Sequence, residues 1–237
     1  MSDLQGEALF LATRRSRTRE LMRILRIGQE FVRGFRAFHD LGPAVTIFGS
    51  ARFPENHRYY AQAQAIGSAV ARAGFAVMTG GGPGLMEAAN RGAKEANGQS
   101  IGVNIVLPHE QSSNPYVDQV VTFYYFFVRK VILVKYSSAF IILPGGYGTI
   151  DELSEAMTLI QTGKLYDFPV ILMGSDYWKG LLDWFKDTLL REGTIGPESL
   201  DLLTLTDDPD EVIRILRDHA QVLGLKLRQN SPPRAGA

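Results

Sequence analysis

The residues best placed by type and spacing to do chemistry lie in one stretch, Ile141 to Leu153. An apolar run, Ala139 to Leu143, reads as a buried strand. It enters Pro144-Gly145-Gly146-Tyr147-Gly148, then Thr149 and, three residues later, Glu152. Glycines after a strand let backbone N–H groups face outward with no Cβ in the way. A helix N-terminus behind them adds unpaired donors and the positive end of a dipole. Together they make a cradle for a phosphate. The same residues also fit a plain reading, in which the glycines make a tight turn and Thr149 and Glu152 form a capping box. Apolar spacing through Leu153, Ala156, Met157 and Ile160 continues the helix in either case.

A second glycine cluster favours the phosphate reading. Phe75 to Met78 reads as a strand and runs into Thr79-Gly80-Gly81-Gly82-Pro83-Gly84-Leu85-Met86-Glu87, where another helix begins. A third turn, Gly49-Ser50-Ala51-Arg52, follows the strand Ala44 to Phe48.

The elements that must hold these turns alternate along the whole chain. Further strands are expected at 100–106, 117–124, 170–173 and 202–205. Helices are expected at 14–39, 56–73, after Glu87 to about 96, and at 126–136, 149–161, 177–191 and 209–223. Continuous apolar strands separated by helices indicate a parallel sheet covered on both faces. The fold expected is therefore α/β, a Rossmann-like doubly wound parallel sheet in a single domain. Its body would span residues 41–225, preceded by a helical segment, 1–40. A tail, 226–237, is expected to be disordered, because Gln229 to Ala237 carries two prolines and no large apolar residue. In such sheets ligands bind beyond the carboxyl ends of the strands. All three glycine turns would lie on that edge.

Composition removes several classes. Lys plus Arg and Asp plus Glu number 25 each, so no basic excess points to nucleic acid. There is no cysteine, hence no disulfide and no thiolate chemistry, which fits a cytoplasmic protein. Four histidines, His39, His57, His109 and His219, lack ligand spacing, and no metal site is expected. No apolar run approaches the roughly 20 residues that span a bilayer, so no membrane partner is expected. The Arg-rich start of the first helix (Arg14, Arg15, Arg17, Arg19, Arg23, Arg26) accompanies an apolar stripe that would pack on the body or on a second subunit. Neither a dinucleotide Gly-x-Gly-x-x-Gly in the first turn, nor a Walker loop, nor a Gly-x-Ser-x-Gly elbow is present. The chemistry is left to carboxylates, arginine and backbone donors.

The stretches Gly80 to Glu87 and Pro144 to Glu152 resemble the LOG ("Lonely Guy") family of nucleoside 5′-monophosphate phosphoribohydrolases, also labelled lysine decarboxylase-like. The family pattern Pro-Gly-Gly-x-Gly-Thr-x-x-Glu is met from Pro144 to Glu152, the family's Arg-Lys pair by Arg129-Lys130, and its Gly-Ser by Gly49-Ser50. The resemblance spans roughly residues 44–190. Met86-Glu87 in place of Met-Gly and the added N-terminal helix depart from the plant-type short form and occur in longer bacterial relatives.

The resemblance implies cleavage of the N-glycosidic bond of AMP or a cytokinin riboside 5′-monophosphate to free base and ribose 5-phosphate, with no cofactor and in a homodimer or higher even oligomer. It makes Arg129 and Glu152 the catalytic pair. Gly145, Gly146, Tyr147, Gly148 and Thr149 would hold the phosphate. Gly49, Ser50, Gly82, Gly84, Met86, Glu87, Glu110 and Lys130 would complete the substrate site. Plainer readings stand beside these: Glu152 as a helix cap, Arg129 and Lys130 as a solvated face, Glu87 as a dipole partner and Met86 as core. The aromatic run Tyr124 to Phe127 suits core or subunit contact better than a base platform. The rival function is a non-catalytic nucleotide or molybdenum-cofactor carrier on the same fold. A literal decarboxylase would need a Schiff-base lysine, and none of Lys94, Lys130, Lys135 or Lys164 stands out.

Overall fold

The computed structural model describes residues 17–107 and 112–228. In chain order the elements are α1 Arg17–Ala37, β1 Ala44–Phe48, α2 Arg58–Arg72, β2 Ala76–Thr79, α3 Leu85–Glu95, β3 Ser100–Ile105, β4 Gln119–Phe123 and α4 Phe126–Tyr136. They continue with β5 Ala139–Ile142, α5 Tyr147–Gln161, β6 Val170–Leu172, α6 Ser175–Trp184, β7 Leu203–Leu205 and α7 Pro209–Val222. One seven-stranded sheet runs β4-β3-β2-β1-β5-β6-β7, and every neighbouring pair is parallel. The chain winds outward from β1 in one direction, then returns to add β5 on the other side. That reversal between β1 and β5 is the topological switch point, where such sheets open a crevice.

Alternation along each strand divides the apolar side chains between two layers. Val45, Ile47, Val77, Ile141 and Ile171 meet α2, α3 and α7 through Ile66, Val70, Leu85, Ala89 and Leu216. On the other face Phe48, Met78, Ile101, Phe140, Ile142 and Leu172 meet α4, α5 and α6 through Ile132, Leu133, Leu153, Ala156 and Trp178. The doubly wound parallel sheet read from the sequence is the fold observed.

Three details differ from the sequence reading, and the first helix takes one of the two packings it offered. Helix α5 begins at Tyr147 with Gly146 at its N-cap, and no side chain caps it. Thr149 therefore lies inside the first turn, and the capping box disappears. Helix α6 begins at Ser175, and its continuation, Phe185–Leu190, is π-helical. Helix α1 docks on the body: Ile27 and Phe31, with Phe38 just beyond the helix end, join the second layer, while Leu21, Met22, Ile24, Leu25, Val32 and Phe35 stay exposed. At the other end, residues expected in the tail are held, since Leu227 packs on the core and the Arg228 N–H donates to Gly74 O at 3.1 Å. Residues 229–237 lie outside the described residues. No helix among those described is long and apolar enough to cross a membrane.

Candidate active site at the switch point

Backbone bonds tie the three glycine turns together beyond the carboxyl ends of β1, β2 and β5. The Ser50 N–H donates to Pro144 O and the Leu85 N–H to Ser50 O, each at 3.0 Å. Gly84 has φ +68°, and a Cβ there would stand 2.6 Å from Ser50 O, so this junction requires glycine. The Gly80–Gly82 turn is held from beneath by a buried polar network. Thr79 donates to Asn90 Oδ1 at 2.6 Å, and Asn114 Nδ2 donates both to Asn90 Oδ1 and to Gly82 O at 3.0 Å. The Gly81 N–H is taken by Thr79 Oγ1 at 2.9 Å.

In the turn after β5, Gly145 is buried, while Gly146, Tyr147 and Gly148 are exposed. The Tyr177 hydroxyl of α6 donates to Gly145 O at 2.8 Å. Thr149 is buried with its hydroxyl folded over Gly145, where an added Cβ would lie 2.0 Å from Oγ1. This combination of exposed glycine backbone, an inward threonine hydroxyl and an uncapped helix start has the features of an anion cradle.

One turn further into α5, Glu152 is 5% exposed. Its Oε1 stands 3.9 Å from Arg129 Nη1, and its Oε2 is buried without a hydrogen-bond partner. Burial pushes the carboxyl up to about 7, against the pull of Arg129 and Lys130 in the opposite direction. Arg129 reaches the same place from α4. Its Nε donates to Val103 O at 2.7 Å, and its Nη2 would lie 2.7 Å from a Cβ on Gly80, as would the Met86 sulfur. Gly80 is the opening through which arginine and methionine reach the strand edge. Burial lowers the guanidinium pKa from its usual value, and Glu152 raises it. Arginine nevertheless stays charged in proteins.

The structure thus gathers Arg129, Glu152, Met86, Gly49, Ser50, Gly82, Gly84 and Gly145 to Thr149 at one edge. Two proposed site residues take other partners. Glu87 accepts a hydrogen bond from the Tyr60 hydroxyl of α2 at 3.1 Å. Lys130 Nζ stands 2.9 Å from both Asp151 Oδ2 and Glu155 Oε2 of α5. Glu110 lies outside the described residues. The sequence reading missed Gly80, the Thr79–Asn90–Asn114 network and Tyr177. Asn90 carried a weak signal, an uncharged polar residue directly after Ala88 and Ala89 in α3, whereas Tyr177 carried none. Two clefts lie apart, one along Met22, Arg26, Gln29 and Tyr124, the other along Arg58, Gln62, Ser175 and Asp207. Among the described residues no cluster of three or more His, Cys, Asp or Glu side chains could hold a metal.

A family model described as possible lysine decarboxylase matches residues 86–216, more than half of the chain. The chain belongs to that family, the LOG family. The cytokinin riboside 5′-monophosphate phosphoribohydrolase LOG3 of Arabidopsis thaliana is 33% identical over 147 residues, 61% of this chain and 67% of the relative. The enzyme of that name from Mycobacterium tuberculosis is 30% identical over 152 residues, 63% of this chain and 80% of the relative. Among solved structures, the molybdenum cofactor carrier protein of Chlamydomonas reinhardtii superposes with a TM-score of 0.56 at 24% identity, over 76% of this chain and 99% of that one. The last likeness is one of fold. In this LOG-family chain the motif region Pro144 to Glu152 falls inside the matched segment, as does Arg129.

Proposed function

We propose that this chain hydrolyses the N-glycosidic bond of AMP, or of a cytokinin riboside 5′-monophosphate, to the free base and ribose 5-phosphate. As a LOG-family protein it is an enzyme, a hydrolase acting on nucleoside monophosphates. The observation that carries the assignment to this site is the buried, unpartnered Oε2 of Glu152 beside Arg129, one helical turn behind the glycine cradle. An orphaned buried carboxylate oxygen costs free energy unless a ligand group meets it.

With the phosphate at the α5 N-terminus, Glu152 faces the ribose. Breaking the C1′–N bond leaves positive charge on the sugar in an oxocarbenium-like state. The ionised Glu152 stabilises that charge and accepts hydrogen bonds from ribose hydroxyls, while water attacks C1′ and the proton it sheds passes to the departing base nitrogen, which keeps the pair of the broken C1′–N bond. Arg129 cannot serve as a proton donor, because its guanidinium does not deprotonate. Its hydrogen bonds assist departure of the base, and its charge favours the ionised form of Glu152. Met86 lies on the nucleoside side. Exposed apolar residues of α1 and α4, among them Leu21, Leu25, Phe126 and Val131, form the contact between two copies.

Incubation with AMP, followed by chromatography, tests the reading. Adenine should appear with wild type and vanish with a folded Glu152→Gln variant. Intact AMP, tightly held by the wild type, would replace the hydrolase with the carrier. A lysine decarboxylase is disfavoured by the state of Lys130. Burial pulls its pKa down, but bonds to Asp151 and Glu155 outweigh burial and hold it above the usual value, so the amine is a poor Schiff-base nucleophile.

A further inference from the structure

Glu30 is a buried charged group that the proposed chemistry does not use. It belongs to α1, outside the matched family segment, and is 7% exposed. A buried carboxylate is costly unless hydrogen-bonded. Here its Oε1 accepts from the Tyr124 N–H at 2.8 Å, and its Oε2 accepts from the Tyr125 N–H at 3.2 Å. Tyr125 is the N-cap of α4 and supplies no side-chain cap of its own. Glu30 therefore caps α4 from another element, with its negative charge at the positive end of the helix.

One turn into α4 is Arg129, whose N–H donates to Tyr125 O at 3.2 Å. The residue that Glu30 grips is thus the one on which the backbone of Arg129 is hung. The grip is stiffened on both sides. Arg33 Nη2 bonds Thr122 O and lies 3.5 Å from Glu30 Oε1. Four residues further along α1, counted from Glu30, Gly34 brings its backbone onto α4, where an added Cβ would stand 2.7 Å from Ile132 Cδ1.

We propose that Glu30 is a positioning residue for the reaction: its carboxylate fixes the N-terminus of α4 and thereby aims the Arg129 guanidinium at Glu152. The N-terminal helix is then part of the catalytic apparatus through its hold on α4. This rests on the hydrolase reading above. The phosphate cradle is built on β5 and α5, so loss of the grip should spare binding and slow the chemical step. A displacement of about 1 Å at a catalytic group can cost roughly a hundredfold in rate.

The test is a double-mutant cycle on AMP hydrolysis with Glu30→Gln and Arg129→Ala, assayed at a temperature where thermal melts show every variant folded. Expected are a 10- to 100-fold fall in kcat for Glu30→Gln, a KM within about threefold of wild type, and no further fall when Glu30→Gln is added to Arg129→Ala. Should Glu30→Gln give no soluble protein, Glu30→Asp takes its place in the cycle. Multiplicative losses in the double variant, or an unchanged kcat in the single one, overturn the positioning role while leaving the hydrolase intact. A wild type that releases no adenine overturns the hydrolase reading and this proposal with it.

Discussion

Replacing Glu152 by glutamine should stabilise the protein at alkaline pH while abolishing its activity. The raised carboxyl pKa is a statement about folding as much as about chemistry. In the unfolded chain the group titrates near 4.5, and in the folded protein at about 7. Below the unfolded value both states carry the proton, and the folded state's preference for the neutral form is fully satisfied. As pH rises through the folded value, that stability is lost, because a buried carboxylate must ionise. At about 1.4 kcal/mol per tenfold change in proton affinity, the loss above pH 7 amounts to about 3 kcal/mol. Exposure of 5% leaves little room for solvent screening to reduce it. Glutamine has nearly the same shape and never ionises. The variant should match wild type at pH 4 and exceed it by about 3 kcal/mol at pH 8.5, roughly 6–12 °C in Tm for a chain of this size. Urea or thermal unfolding of both proteins from pH 4 to 9 measures the difference directly, and other titrating groups cancel in the comparison. A difference that stays flat with pH, or a variant less stable at pH 8.5, would refute the claim that the site holds an ionised carboxylate at the expense of stability.

Two further outcomes follow from the same geometry. If Glu152 works as a carboxylate, kcat/KM for AMP should fall as pH drops below about 7; a rate that climbs toward acid would make it a proton donor instead. Gly80→Ala should leave Tm within a few degrees, since Gly80 lacks a positive φ, yet lower kcat roughly 10- to 100-fold by driving its Cβ into Arg129 Nη2 and the Met86 sulfur. Unaltered turnover in that alanine variant would show that the arginine position is not critical.

The sheet was legible because its strands are apolar runs and its helices are spaced regularly between them, so the parallel architecture needed no long-range information. The three glycine turns were legible for the same reason, as punctuation after strands. What stayed open was the choice of local partners. Thr149 and Glu152 have the spacing of a capping box, but Gly146 starts the helix without using a side chain, which frees Thr149 to fold over Gly145 and Glu152 to face Arg129. Glu87 sits in the first turn of α3, where the dipole alone would favour it, and its partner Tyr60 comes from a neighbouring helix. Glu30 meets Tyr124 across 94 residues of sequence. No periodicity announces such a contact, because it depends on how α1 lies across α4.

The adjacent cations Arg129 and Lys130 show how one helix divides the labour. Successive residues of a helix point about 100° apart, so the two side chains leave α4 toward different neighbours. Lys130 turns to α5 and meets two carboxylates at 2.9 Å, close enough that its charge is spent on holding the helices together. Arg129 turns to the strand ends, where Val103 O fixes Nε and the approach to Glu152 stops at 3.9 Å. A shorter, bidentate contact would satisfy both groups and leave neither for a substrate. The looser spacing keeps Glu152 Oε2 unpartnered and leaves guanidinium donors facing the same edge. Such preorganised, undersatisfied charge acts most strongly where water is excluded and charge develops on a substrate. Under the proposed reaction that charge appears on the ribose between the phosphate cradle and Glu152, so the burial that costs stability and the 3.9 Å gap that leaves Oε2 unpartnered together supply the capacity for catalysis.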